Sequence, residues 1–155
     1  MVLTDDNFAT IVRAVKEGRT IYDNIVKFVR RQLSTNMGAL QTVLGASLLG
    51  WPTPFTPIQI LWINIIMDGP PSMTLGVDPA RPGAMADPPR APAARILTLS
   101  RLVRLFFYGS IMAVGTLGVF HYARPQGLEY ALTLTFTTFV MFQLFNTFNA
   151  RIEFG

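Results

Sequence analysis

Asp68 is the one charged residue between Gln32 and Val77. Asn64 lies four positions earlier, so on a helix the two share a face. Both offer oxygen, the ligand type that hard cations such as Ca²⁺ and Mn²⁺ prefer. Gly69, Pro70 and Pro71 follow at once. Pro71 has no N–H for the carbonyl of Met67, and the residue before a proline is biased away from helical angles. Freed carbonyls beside a lone carboxylate suit an intramembrane cation site of the broken-helix kind. The plainer alternative is an acid at a membrane edge that caps a new helix. The depth of Asp68 in its uncharged surroundings favours the ion site.

Other polar side chains occupy uncharged stretches. Ser34, Thr35, Asn36 and Gln41 precede the Asp68 segment, and Gln143, Asn146 and Asn149 lie near the C-terminal end. Each could bond across helices as packing glue or supply a ligand, and the residues alone leave both open. His121 reads as an interfacial, structural histidine. The chain has no cysteine, which excludes disulfides, a zinc–thiolate site and a cysteine nucleophile. It shows no Ser-His-Asp arrangement and no phosphate-binding glycine loop.

Few elements can position these residues. Only 14% of the 155 residues are charged, against about a quarter in an ordinary soluble domain. Residues 1–31 hold ten of the 22 charges, while 32–67, 105–123 and 130–150 hold none. A helix needs roughly 20 apolar residues to cross a bilayer. Pro52, Pro54 and Pro57 divide the first uncharged stretch. The expected fold is therefore all-α, a membrane bundle of four transmembrane helices at about 32–50, 57–77, 105–123 and 130–150. Residues 1–31 would be a cytoplasmic helical extension, its start capped by Asp5 or Asp6 and its apolar stripe formed by Ile21, Ile25, Phe28 and Val29. One helix from about Gly18 to Gly50 would then project well beyond the membrane. Residues 79–104 form a cytoplasmic loop, proline-rich over 79–95, and 151–155 a tail. Lysine and arginine gather before the first span, between the second and third, and after the fourth, which puts the N-terminus, the loop and the C-terminus in the cytoplasm. The net +4 reflects that rule. No aromatic-interleaved basic stripe suggests nucleic acid.

The run Ile60-Leu-Trp-Ile-Asn64-Ile-Ile-Met-Asp68-Gly-Pro-Pro71, with Leu75-Gly-Val-Asp-Pro79, resembles the calcium-pump class of P-type ATPases. It is similar to secretory-pathway-type pumps and their bacterial relatives. Val2-Leu-Thr-Asp-Asp-Asn-Phe8 resembles the end of a phosphorylation domain, and Gly18-Arg-Thr-Ile-Tyr-Asp-Asn-Ile25 the stalk entering a fifth transmembrane helix. Gln143-Leu-Phe-Asn146 with Asn149-Ala-Arg151 resembles the eighth helix of plasma-membrane-type pumps. The resemblance covers essentially the whole chain and equates the four spans with helices five to eight of ten. It implies an ATP-driven pump for Ca²⁺ or Mn²⁺, and it makes residues 11–31 the stalk coupling phosphorylation to the site. It assigns Asp68 and Asn64 as metal ligands, and Asn36 as a fifth-helix polar group at the site. Ala39, Met67 and Gln143 stand where the two-site pattern has glutamate, threonine and glutamate, which implies one ion per cycle.

The Asp-Lys-Thr-Gly-Thr phosphorylation motif and the nucleotide domain are not among these residues. ATP and Mg²⁺ would act only through such domains, and these 155 residues alone are expected not to hydrolyse ATP. The expected partners are the lipid bilayer and the remaining helices and cytoplasmic domains of a pump, with the plasma membrane as location. The reading is a C-terminal pump fragment. The alternative is a free-standing, non-catalytic four-helix interaction subunit, and a passive cation pore is a third possibility.

Overall fold

A computed structural model describes residues 4, 7–91 and 95–152. The described residues are helical and contain no strand. Helix α1 runs from Phe8 to Leu48, 41 residues, or roughly 60 Å at 1.5 Å per residue. Asn7 caps it by accepting from the Ala9 N–H at 3.0 Å. The expected caps, Asp5 and Asp6, lie outside the described residues. The helix begins ten residues before the expected Gly18, because no proline interrupts that segment and Gly18 is tolerated on an open face. It stops where Gly50 takes φ +67°. The Trp51 N–H reaches the Ala46 carbonyl at 2.9 Å and the Gly50 N–H the Ser47 carbonyl at 3.1 Å, a Schellman closure that a glycine accommodates without strain. Pro52 and Pro54 bar any continuation.

The second segment is built in three pieces. Helix α2 spans Pro57–Trp62, with Thr56 and Gln59 forming a reciprocal capping box. A π-helical turn occupies Ile63–Met67, in which the Asp68 N–H bonds the Ile63 carbonyl at 3.0 Å. Helix α3 then covers Gly69–Gly76. A break is expected at Gly69–Pro71, yet the distortion begins six residues earlier. Prolines 70 and 71 cannot satisfy the carbonyls one turn back, and the wider turn redistributes those bonds.

Helix α4 is Leu99–Ala123 and α5 is Leu128–Arg151, joined by a 3₁₀ turn at Arg124–Gln126. The segments Leu99–Gln126 and Leu128–Arg151 are long and apolar enough to cross a bilayer. Helices α1 and α4 meet backbone to backbone at Gly38 and Gly109. A Cβ on Gly109 would lie 3.1 Å from the Gly38 nitrogen, the close approach that small residues permit.

Among the described residues the interior mixes polar with apolar side chains, and large apolar side chains are spread over the exterior. Arg31, Gln143, Thr35, Thr42, Thr116 and Thr135 are among the largest fully buried side chains. Phe106, Phe107, Val114, Phe145 and Phe148 are exposed. Water would oppose that distribution, whereas hydrocarbon does not. Apolar packing is local. Phe55, Ile63, Met112 and Phe139 form one cluster, and Phe120, Ala123 and Ala131 another beside Trp51.

The stalk part of α1 turns the opposite face inward from its apolar stripe. Ile21, Ile25 and Phe28 are exposed, while Asp23, Asn24 and Lys27 are buried. The connecting loop explains this. Arg81 and Arg90 both pair with Asp23, at 3.0 and 2.9 Å, and Arg81 also pairs with Asp87. Arg19 donates to the Ala84 and Asp87 carbonyls at 2.8 and 2.7 Å. The described part of the proline-rich loop is thus strapped along α1 by charge.

Candidate cation site

Residues from α1 and the broken second segment meet in two separate arrangements. The first is a mainly apolar groove of about 270 Å³, lined by Ala39, Leu40, Val43, Phe55, Ile60 and Ile63, to which α1 contributes Thr35 and Asn36 and the π turn Asn64. Asn36 and Asn64 are both exposed to it. The wide turn presents Asn64 on the open side of the helix.

The second arrangement surrounds Asp68, which is 6% exposed and lies outside the lining of the groove. Arg31 Nη1 donates to Asp68 Oδ1 at 3.4 Å, and Gln32 Nε2 donates to Oδ2 at 3.0 Å. Both carboxylate oxygens are therefore engaged by consecutive residues of α1. Arg31 is fully buried. It also donates through Nη2 to the Met67 carbonyl, through Nη1 to Ser72 Oγ at 3.2 Å, and through Nε to Thr147 Oγ1 at 2.8 Å. The carbonyl that Pro71 frees is the one the guanidinium takes. A buried charge is tolerable only when it is paired and hydrogen-bonded, and here three elements share that task.

The other polar positions separate by role. Asn146 donates to Ser34 Oγ at 2.6 Å, which ties α5 to α1 as interhelical glue. Gln143 is fully buried, and neither atom of its amide has a hydrogen-bond partner among the described residues. The Asn149 carbonyl accepts from Arg30 at 3.2 Å. His121 stacks on Trp51 with centroids 5.0 Å apart. No cluster of three or more His, Cys, Asp or Glu exists among the described residues. Any cation here would meet one carboxylate and neutral oxygens.

Of the three residues singled out by sequence, the structure brings Asn36 and Asn64 to one groove and holds Asp68 outside it in an arginine–glutamine clamp. The π turn separates exposed Asn64 from buried Asp68, so the shared face expected of a four-residue spacing is not formed. Sequence reasoning missed Arg31, Gln32, Ser72 and Thr147. Arg31 looks like a flanking basic residue that sets orientation. A signal was available. Arg31, Ser34, Gly38 and Thr42 fall at steps of three and four with Thr35 next to Ser34, and all are buried on one face of α1. Arg30 falls off that face.

Comparison with known proteins places these residues in a family. A family described as cation transporting ATPase, C-terminus, matches residues 52–154. The chain is 42% identical over 156 residues to the calcium-transporting ATPase of Bacillus subtilis, covering 99% of the chain and 18% of that protein. It is 43% identical over 155 residues to calcium-transporting ATPase type 2C member 1 of Homo sapiens, covering 99% and 17%. It is 42% identical over 153 residues to calcium-transporting ATPase 1 of Yarrowia lipolytica, covering 97% and 16%. The chain spans about a sixth of the length of these relatives. The family match over residues 52–154 and the Asn64–Asp68 motif agree: the chain belongs to the P-type cation transporting ATPases and carries the family's C-terminal region.

Proposed function

We propose that this chain is the ion-translocating membrane segment of an ATP-driven pump for Ca²⁺ or Mn²⁺. Asp68 is the charged ligand and Asn64 a neutral one, and Asn36 completes the α1 side. The observation that carries this reading is the shared groove: two amides from different helices line one space at the break in a helix, four residues along the chain from the lone intramembrane carboxylate. Hard cations favour such oxygens. Four spans follow if α1 crosses with its uncharged part and the α2–α3 segment crosses as a broken helix. The N-terminus, the loop between α3 and α4, and the C-terminus then face the cytoplasm. ATP and Mg²⁺ act through phosphorylation and nucleotide domains in the rest of the pump, and α1 carries their movement to the site. A single carboxylate fits one cation per cycle. The plasma membrane is the proposed location.

The test is a chimaera in which these 155 residues replace the matching region of the Bacillus subtilis relative. Reconstituted in vesicles, it should show Ca²⁺-dependent ATP hydrolysis and ATP-driven uptake of radioactive calcium. Asp68→Asn should weaken the apparent Ca²⁺ affinity by about tenfold or more. Unchanged affinity in that variant removes Asp68 from the ligand set and the reading with it.

A further inference from the structure

Arg31 has no place in the ion-binding reading above, yet its side chain is engaged through all three guanidinium nitrogens. It is fully buried, it pairs with the one carboxylate there, and it holds three neutral acceptors besides. We propose that Arg31 is a tethered counter-ion that occupies Asp68 when no transported cation is bound, and that a divalent cation must displace it to bind. The proposal rests on the reading of Asp68 as a ligand.

The geometry supports the exchange. An emptied carboxylate in a membrane interior is unfavourable without a cationic partner. Arg31 supplies that partner from within the chain, and its charge is permanent. A divalent cation held by Asn36 and Asn64 in the groove would need Asp68 to turn towards it. That requires breaking the bonds from Arg31 Nη1 and Gln32 Nε2, at 3.4 and 3.0 Å. The guanidinium need not follow, because the Met67 carbonyl, Ser72 and Thr147 continue to accept from it. Like charge then separates arginine from the incoming ion. Arg31 and Gln32 sit on one unbroken 41-residue helix, so any shift of α1 along its axis moves both clamps relative to Asp68 at once. The consequence is weaker ion binding than the oxygen ligands alone would give, and faster release.

The experiment uses the full 155-residue chain in nanodiscs of phosphatidylcholine, with free Mn²⁺ followed by electron paramagnetic resonance. Arg31→Gln should bind Mn²⁺ at least about tenfold more tightly than the original chain. The double variant Arg31→Gln with Asp68→Asn should lose that gain. Equal affinities for Arg31→Gln and the original chain overturn the proposal, as does a gain that survives in the double variant. If circular dichroism shows that Arg31→Gln has lost its helices, the original chain decides the matter. Ca²⁺ titrated into it should move the Arg31 Nε–H resonance in nitrogen-15 spectra and leave that of Arg124 in place. An unmoved Arg31 resonance overturns the proposal. The ligand role of Asp68 fails separately, in the chimaera, if uptake there ignores Asp68→Asn.

Discussion

Asp68 and Asp78 are ten residues apart, and each grips the same face of α1. Asp68 takes Arg31, and Asp78 takes Lys27 at 2.7 Å, one helical turn closer to the N-terminus. A third rung lies one turn further, where Asp23 of α1 takes Arg81 and Arg90. The chemistry repeats and the surroundings do not. The side chains of Arg31 and Asp68 are 0% and 7% exposed and those of Lys27 and Asp78 6% and 10%, so both pairs are buried; what differs is the further partner, Arg151 at 58% for Asp78 and Arg90 at 43% for Asp23. Water and salt screen the Arg151 and Arg90 contacts, while the Arg31–Asp68 and Lys27–Asp78 pairs are shielded. The same ion pair can therefore be a modest strap at one end of a helix and a strong constraint at the other. At the inner end, losing one partner strands a charge.

The sharpest way to break that contrast is Asp68→Asn, which leaves Arg31 buried without a counter-charge. It should lower stability by about 3–5 kcal/mol, read from thermal unfolding by circular dichroism in nanodiscs. A loss below about 1 kcal/mol, the range of an exposed pair, would erase the difference between inner and outer rungs. Asp78→Asn removes one acceptor from two cations and should cost about 1.5–3 kcal/mol. The share of that cost due to the exposed Arg151 should shrink as salt is raised, while the share due to buried Lys27 and the Asp68→Asn cost should not. Gly109→Ala supplies a packing control beside the inner rung. Its Cβ would press on the Gly38 nitrogen at 3.1 Å, for about 1–3 kcal/mol with no dependence on salt. Salt sensitivity there would show that the ionic strength series reports something other than ion pairs. Arg90→Ala should have the smallest effect, about 0.2–1 kcal/mol. Its second readout is faster amide exchange in the loop, because the guanidinium also lies over the Tyr22 ring at 3.3 Å.

Much of the architecture was legible because the membrane leaves a coarse signature. Absence of charge marked the apolar stretches, and proline marked the turn after α1 and the break near Asp68. Capping details were less visible: the α1 start fell at Asn7, since a long helix without prolines extends as far as its cap allows. The stalk face was misleading for a physical reason. Ile21, Ile25 and Phe28 form a regular stripe, but burial there follows the arginines and aspartates of a loop about 60 residues away. Periodicity within one helix carries no information about which distant charges will arrive.

For the site, the sequence by itself determined the ingredients: one carboxylate, amides at Asn36 and Asn64, and two prolines that must free backbone carbonyls. These follow from composition and covalent geometry, which no packing can alter. Tertiary structure alone decided their engagement. It put Asn36 and Asn64 on one groove and spent the Met67 carbonyl on a guanidinium. It also converted Arg31 from a flanking charge into the partner of Asp68. The reason is that a buried ion pair is a property of two helices together. Residue 31 and residue 68 acquire each other only when α1 and α3 pack, and then the low dielectric around them makes the pairing decisive.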